Sequence, residues 1–212
     1  NLTMIPKKAR PGDVMGFDTG PGNMVIDGLL REMTGDGTSY DHGGKIAAKG
    51  MVHLGLLKEL LSHPFISRKP PKTSGREEFG RGYVLKILSR AKALKLPKED
   101  VIATATALTA CSIALNYRKF VFPKMIPDEI VFGGGGIHNA TLMRMIRAEL
   151  PNIKISSFDL YGIPADAAEA VCFAVLAHET LHGNPTNIPT VTGAKRSAVL
   201  GKIVPGRKMP VF

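Results

Sequence analysis

The amino-terminal part of the chain alternates between short apolar runs and polar turns. The segment 1–5, in which Leu2, Met4 and Ile5 are apolar, and the apolar run 14–17 predict two short strands, and the polar turn between them favours a hairpin. The second run ends on Asp18. The glycine turn 19–23 follows, and an apolar-periodic segment then predicts a helix over 24–33. The pattern is therefore strand, glycine turn and helix, with an acid at the carboxyl end of the strand.

The middle of the chain is predicted to be mainly helical. Helical patterns cover residues 45–61, 77–94 and 98–118, and we expect breaks in the first of these near Gly50 and Gly55. Consecutive prolines make the segment before the second helix a loop, in which Ser74 is a candidate cap. The third pattern is apolar on nearly every side, so we expect a helix buried in the core.

From residue 129 onward the pattern changes to strand and helix in turn. Strands are predicted at 130–132 and 154–158, and helices at 139–150 and 164–182. The glycines Gly133 to Gly136 form a second glycine turn after the first of these strands. Together with the paired strands at the start, this order predicts one α/β domain with a mixed sheet flanked by helices.

Composition and charge narrow the classes of function. The 212 residues are 44% hydrophobic and 22% charged, which is ordinary for a globular protein. The net charge of +10 suggests nucleic-acid binding, but Lys and Arg are spread along the chain, aromatic residues make up 6% and Trp is absent. We therefore expect no nucleic-acid partner, and a positive field that attracts anionic ligands.

The cysteines and the longest apolar stretch indicate the cellular compartment of the protein. Cys111 and Cys172 lie in apolar helical patterns without metal-ligand or pairing spacing, so we expect buried, reduced thiols. The longest apolar stretch, 101–115, is shorter than the roughly 20 residues that span a bilayer. The chain begins at Asn1 without a visible signal peptide. We expect a cytoplasmic protein without a membrane partner.

The second glycine turn matches no standard nucleotide motif. It lacks the Gly-Lys-Ser/Thr ending of a P-loop, and His138 stands where a dinucleotide fingerprint has its third glycine. Four glycines between a strand and a helix still indicate that the backbone closely approaches a neighbouring group. The partner is either a ligand or the packed helix.

Three charged residues each allow two interpretations. Asp18 either caps its turn or acts as a general base or nucleotide-metal ligand. Glu169 shares a helix face with Cys172 and Phe173, so it is either satisfied by backbone donors or used in a site. Arg76 either binds a phosphate or carboxylate or is an inert surface residue.

Metal ligands cannot be assigned from the histidines. His178 and His182 are four residues apart on one helix, but no third ligand stands near them. We therefore predict no protein metal cluster and leave the metal ligands unknown.

Five motifs in order resemble the anhydro-N-acetylmuramic acid kinase family. They are Phe17-Asp-Thr-Gly-Pro-Gly-Asn23, Pro71-Lys-Thr-Ser-Gly-Arg-Glu77, Gly133-Gly-Gly-Gly-Ile-His-Asn139, Ala168-Glu-Ala-Val-Cys-Phe-Ala174 and Asn187-Ile-Pro-Thr-Val-Thr-Gly-Ala194. The resemblance places the chain in the sugar kinase, Hsp70 and actin superfamily. It implies a ribonuclease-H-like lobe that closes over ATP.

The resemblance implies a reaction and roles for the candidate residues. The 1,6-anhydro bond of the sugar is hydrolysed while ATP phosphorylates O6, giving N-acetylmuramic acid 6-phosphate and ADP, with Mg²⁺ as cofactor. Asp18 would be the general base. The nucleotide would be held by Gly20, Gly22, Asn23, Gly133, Gly134, Gly135, Gly136 and Asn139, and the sugar by Glu169 and Arg76.

The resemblance also implies that residues 1–212 form the carboxyl-terminal lobe of a longer kinase. The glycine- and hydroxyl-rich phosphate motif at the start of family members does not occur here. The expected partners are ATP and a small sugar, and a homodimer is compatible with the resemblance. A non-catalytic nucleotide-binding lobe is the rival hypothesis. Retention of both Asp18 and Glu169 favours the enzyme.

Overall fold

The computed structural model describes residues 1–204 and residue 206. The strands are β1 (Leu2–Met4), β2 (Met15–Phe17), β3 (Glu129–Phe132) and β4 (Lys154–Ser157). The helices are α1 (Asn23–Thr34), α2 (Leu54–Leu61), α3 (Pro64–Ser67), α4 (Arg76–Phe79), α5 (Arg81–Ala93), α6 (Lys98–Asn116), α7 (Ala140–Glu149), α8 (Ala168–Leu181) and α9 (Pro189–Thr192). Within the described residues, no helix is long and apolar enough to cross a bilayer.

Helix α6 forms the centre of the fold. Residues 101–110 are all buried, which confirms the core helix predicted over 98–118. Its threonines fit an apolar environment because their hydroxyls donate to carbonyls one turn earlier, as Thr106 does to Ile102 at 2.8 Å. Helices α1, α2 and α7 pack against α6. The elements that carry the candidate site are therefore attached to one rigid helix.

The segment predicted as one helix over 77–94 is divided into α4 and α5. The break lies at Gly80, whose backbone is extended (φ −79°, ψ −156°). A Cβ at this position would lie 2.2 Å from the carbonyl oxygen of Arg76. The glycine thus allows the chain to bend, and Phe79, fully buried just before it, packs edge-on against Phe65.

The strands form two separate sheets in the described part of the chain. Strands β1 and β2 pair antiparallel, with Leu2 opposite Phe17, as the predicted hairpin requires. Strands β3 and β4 pair parallel, with Glu129 opposite Lys154, and α7 connects them. The prediction of one mixed sheet was wrong, because each pair packs on its own apolar cluster, one around Val121 and the other on α7.

Helix α8 is the least covered element of the fold. The helix predicted over 164–182 starts as a 3₁₀ turn, Ala165–Ala167, and α8 follows from Ala168. No residue of α8 is buried, and the exposed fraction of Phe173 is 65%. The predicted burial of Cys172 was wrong, since its side chain is exposed, whereas Cys111 is half-buried. An apolar helix is present, but the described residues do not cover it.

Candidate functional site

Asp18 directly follows the hairpin strand β2 and is half-buried. Its carboxylate oxygen Oδ2 accepts a hydrogen bond from the backbone N–H of Ser74 at 2.7 Å. Its own N–H donates to the carbonyl of Lys72 at 3.0 Å. The carboxylate is therefore held by the loop before α4 and does not cap its own turn. Ser74 does not cap α4 either, because Gly75 occupies the N-cap position.

The first glycine turn leads from Asp18 into α1. Gly22 is the N-cap residue, with φ +57°, and brings no capping side chain. Its carbonyl accepts a hydrogen bond from the hydroxyl of Thr109 on α6 at 2.8 Å. The first N–H groups of a helix have no partner within the helix, and an anion such as phosphate can accept hydrogen bonds from them. The end of α1 at Gly22 is thus compatible with the predicted phosphate contacts of Gly22 and Asn23, which stay predictions.

Gly20 has a packing reason for lacking a side chain. A Cβ at this position would lie 2.5 Å from the hydroxyl oxygen of Ser112 and 2.9 Å from its Cβ. The turn is pressed against α6 there, so the glycine permits close approach of the backbone to a helix. The predicted phosphate contact of Gly20 stays a prediction.

A double-mutant cycle tests this explanation of Gly20. We expect Gly20→Ala to lower the free energy of unfolding by about 1–3 kcal/mol, because the added methyl overlaps Ser112. Ser112→Gly removes the obstructing atoms, so Gly20→Ala should cost at least about 1 kcal/mol less in its presence. Urea denaturation of the four proteins measures the coupling. Additive effects would contradict the packing explanation.

The second glycine turn connects β3 to α7. A Cβ on Gly133 would lie 2.3 Å from the Phe158 ring, so this position too is explained by packing. Gly134 has φ +76°, and its N–H donates to the carbonyl of Ala165 at 3.1 Å. Asn139 is buried, and its side-chain oxygen caps α7 by accepting from the N–H of Leu142 at 2.9 Å.

The structure brings the two glycine turns together. A Cβ on Gly136 would lie 3.7 Å from the side chain of Asn23, the first residue of α1. The second turn is also tied to the segment before α8, since His138 Nε2 lies 2.8 Å from Asp166 Oδ1. The start of α8, with Glu169 exposed in its first turn, is therefore next to the second turn. Residues from three separate sequence motifs thus meet in one region.

Arg76 lies in a cleft of about 320 Å³ between α1, α4 and α5. Arg31 and Arg81 also line it, and Arg81 is paired with Glu32 at 2.7 Å. Arg76 is exposed at the start of α4, two residues after Ser74. Glu32 also lines the cleft and offsets the charge of Arg81, so the net positive charge, which is suited to an anionic group, comes from Arg31 and Arg76. Arg76 therefore lies among other charged groups, and its binding of an anion stays a prediction.

Two buried polar residues beside Asp18, Lys72 and Asn116, were not predicted from the sequence. Lys72 is only 4% exposed, although it lies in a proline-rich loop. Burial, followed by the positive charges of Lys119 and Arg68, lowers the pKa of Lys72 to about 8, against the opposing effect of Asp18. No feature of the sequence indicates that Lys72 is buried, because a lysine in a proline-rich loop is expected at the surface.

The described residues contain no group of three or more His, Cys, Asp or Glu side chains that could hold a metal ion. His178 and His182 stack on each other, with ring centroids 4.3 Å apart. A metal that enters with a nucleotide needs only one or two carboxylates, because phosphates and water supply its other ligands. Asp18 is compatible with such a site.

Similarity to known proteins extends over almost the whole chain. The family model "Anhydro-N-acetylmuramic acid kinase" matches residues 1–206. A protein of that name from Caldanaerobacter subterraneus subsp. tengcongensis is 47% identical over 96% of this chain and 51% of its own length. Those of Bacillus cereus (strain G9842) and Salinibacter ruber are 46% and 45% identical over 96% and 97% of this chain, and 53% and 52% of their own lengths. The chain thus spans about half the length of these curated relatives, and it belongs to the anhydro-N-acetylmuramic acid kinase family.

Proposed function

We propose that this chain is the catalytic half of an ATP-dependent kinase that opens 1,6-anhydro-N-acetylmuramic acid and phosphorylates its O6. The observation that carries the proposal is the position of Asp18, whose carboxylate is held at the end of β2 immediately before the glycine turn that starts α1. A second glycine turn lies against the same end of α1. A base beside a phosphate site is the arrangement that this reaction needs.

Asp18 and the backbone N–H groups of the two glycine turns each have a role in the proposed reaction. The Asp18 carboxylate takes a proton from the water whose oxygen bonds to the anomeric carbon, and the bond from that carbon to O6 breaks. O6 then bonds to the γ-phosphorus of ATP as the bond to ADP breaks. The N–H groups at the start of α1, and those of Gly135 and Gly136 in the second turn, hold the phosphates and stabilise their charge, because the N–H of Gly134 is already bonded to the Ala165 carbonyl. Mg²⁺, carried by the phosphates, would neutralise developing charge.

Arg76 and Glu169 are proposed to bind the sugar. N-acetylmuramic acid carries a carboxylate, and the cleft that contains Arg76 is lined by two further arginines. Glu169 lies on the helix whose start is tied to the second glycine turn, so its carboxylate can accept hydrogen bonds from sugar hydroxyls near the phosphates.

The chain is proposed to be the carboxyl-terminal, ribonuclease-H-like lobe of the kinase. Its curated relatives are about twice as long. Helix α8 exposes Phe173, Val175 and Val171, and an isolated apolar helix of 14 residues is marginal in water. We propose that residues which the relatives have in addition cover this face. A cytoplasmic location, a homodimer and the absence of a nucleic-acid partner are further parts of the proposal.

The test uses a chimera in which residues 1–206 replace the matching part of the Caldanaerobacter relative. We expect the chimera to release ADP from ATP when 1,6-anhydro-N-acetylmuramic acid is present, and the isolated chain to do so far more slowly, because it spans only about half the length of its relatives. Coupled detection of ADP, with and without the sugar, measures both rates. A folded chimera that binds ATP but shows no sugar-dependent release would favour the non-catalytic nucleotide-binding lobe.

A further inference from the structure

Lys72 is anchored inside the protein by its ammonium group. Its Nζ donates to the carbonyls of Phe65 and Ile66, each at 3.0 Å. The same nitrogen lies 4.8 Å from the ring centroid of Phe65, 5.7 Å from that of Phe17 and 5.5 Å from that of Phe120. Three aromatic faces and two carbonyls satisfy the buried charge. The side chain fixes the position of its own backbone relative to α3 and β2.

That backbone is the part of the loop that holds Asp18. The Lys72 carbonyl accepts the Asp18 N–H, and two residues later the Ser74 N–H donates to the Asp18 carboxylate. Phe17, one of the rings under the Lys72 ammonium, immediately precedes Asp18. Movement of Lys72 would therefore move both hydrogen-bond partners of Asp18 together.

Asn116 anchors the other side of Asp18. Its side chain is fully buried, and its Nδ2 lies 2.8 Å from the carbonyl oxygen of Ser112, 3.0 Å from that of Thr19 and 3.3 Å from that of Ile66, so one of its two N–H groups is shared between two carbonyls. The Ile66 carbonyl thus accepts from both Asn116 and Lys72. The two buried groups are joined through one shared acceptor.

We propose that Lys72 and Asn116 are positioning residues that fix the Asp18 carboxylate from both sides. This inference rests on the proposed role of Asp18 as the base. Burial of an ammonium and an amide is costly, and apolar residues would fill the same space at lower cost. Precise placement of a reacting group gives these residues a function, since a displacement of about 1 Å can lower a rate about a hundredfold.

The test compares Lys72→Met with Lys69→Met, which removes an exposed lysine from the same loop. Amide hydrogen exchange is measured on the isolated chain, and kcat and KM on the chimera. In Lys72→Met we expect the Asp18 and Ser74 amides to exchange at least about tenfold faster while α6 keeps its protection. We expect kcat to fall at least about tenfold, with KM for ATP changed less than about threefold. Lys69→Met should change neither.

Asn116→Ala is a second test, because it removes the hydrogen bonds to the Thr19 and Ile66 carbonyls without changing a residue of the loop. Unchanged exchange and unchanged kcat in a folded variant would overturn the proposal. Loss of the fold in both variants would assign the two residues a structural role only and would also overturn it. If the unmodified chimera releases no ADP, the proposed function fails, whereas the exchange data still decide whether Lys72 and Asn116 position Asp18.

Discussion

Asp18→Asn is expected to lower kcat for sugar-dependent ADP release by the chimera between about a hundredfold and ten-thousandfold. The amide has the size of the carboxylate, and its oxygen can still accept the Ser74 N–H, so the loop geometry is preserved. What is lost is the ability to take a proton from the attacking water. ATP affinity should change little if the carboxylate serves as a base. Steady-state ADP release and ATP titration measure the two quantities.

Asp128→Asn is the matched control, because it removes an exposed carboxylate in the turn before β3. It should leave kcat within about twofold of the unmodified chimera, as expected for a surface substitution remote from the site. Retention of more than a tenth of the rate by Asp18→Asn would exclude Asp18 as the essential base. A large loss of ATP affinity with little loss of kcat would instead indicate that Asp18 holds the metal-bound nucleotide.

The stability of the chain should depend on the ionisation of Lys72. Since burial lowers the pKa of Lys72 from 10.5 to about 8, the unfolded chain binds one more proton than the folded chain between these values. Stability linked to this group therefore rises with pH across the window. A shift of this size corresponds to about 3 kcal/mol. Lys119, Arg68 and Asp18 are the charged groups that influence it most.

The measurement is the difference in free energy of unfolding between the unmodified chain and Lys72→Met, by urea denaturation from pH 7 to 10.5. Other titrating groups, such as Tyr83 and Tyr117, are common to both proteins and cancel in the difference. We expect the unmodified chain to gain about 3 kcal/mol relative to Lys72→Met between the ends of this range. A difference independent of pH would show that the Lys72 ammonium is not buried as described.

Elements that depend on local sequence were predicted correctly. The hairpin of β1 and β2, the helix after the glycine turn and the buried α6 follow from periodicity and turn residues, and the structure contains all three. The acid at the end of β2 was identifiable for the same reason, because the strand and the turn lie next to each other in the chain. Local patterns were therefore sufficient to find Asp18.

Features that depend on distant contacts could not be predicted. Ser74 and Lys72 reach Asp18 across more than fifty positions of sequence, and Asn116 reaches Thr19 across 97. Nothing in the pattern of α8 shows whether its apolar face is covered, since periodicity reports which residues share a face and not what packs on it. The division into two sheets likewise depends on which apolar cluster each strand pair contacts.

The exposure of α8 gives the protein a natural attachment point for a spectroscopic label. Cys172 is exposed in the middle of that helix, whereas burial, followed by the nearby Glu149, raises the pKa of the other thiol, Cys111, to about 11. Because the thiolate is the species that reacts, maleimide reagents at neutral pH should modify Cys172 selectively. The emission of a fluorophore attached to Cys172 would change when another polypeptide covers α8, and no substitution would be needed to attach it.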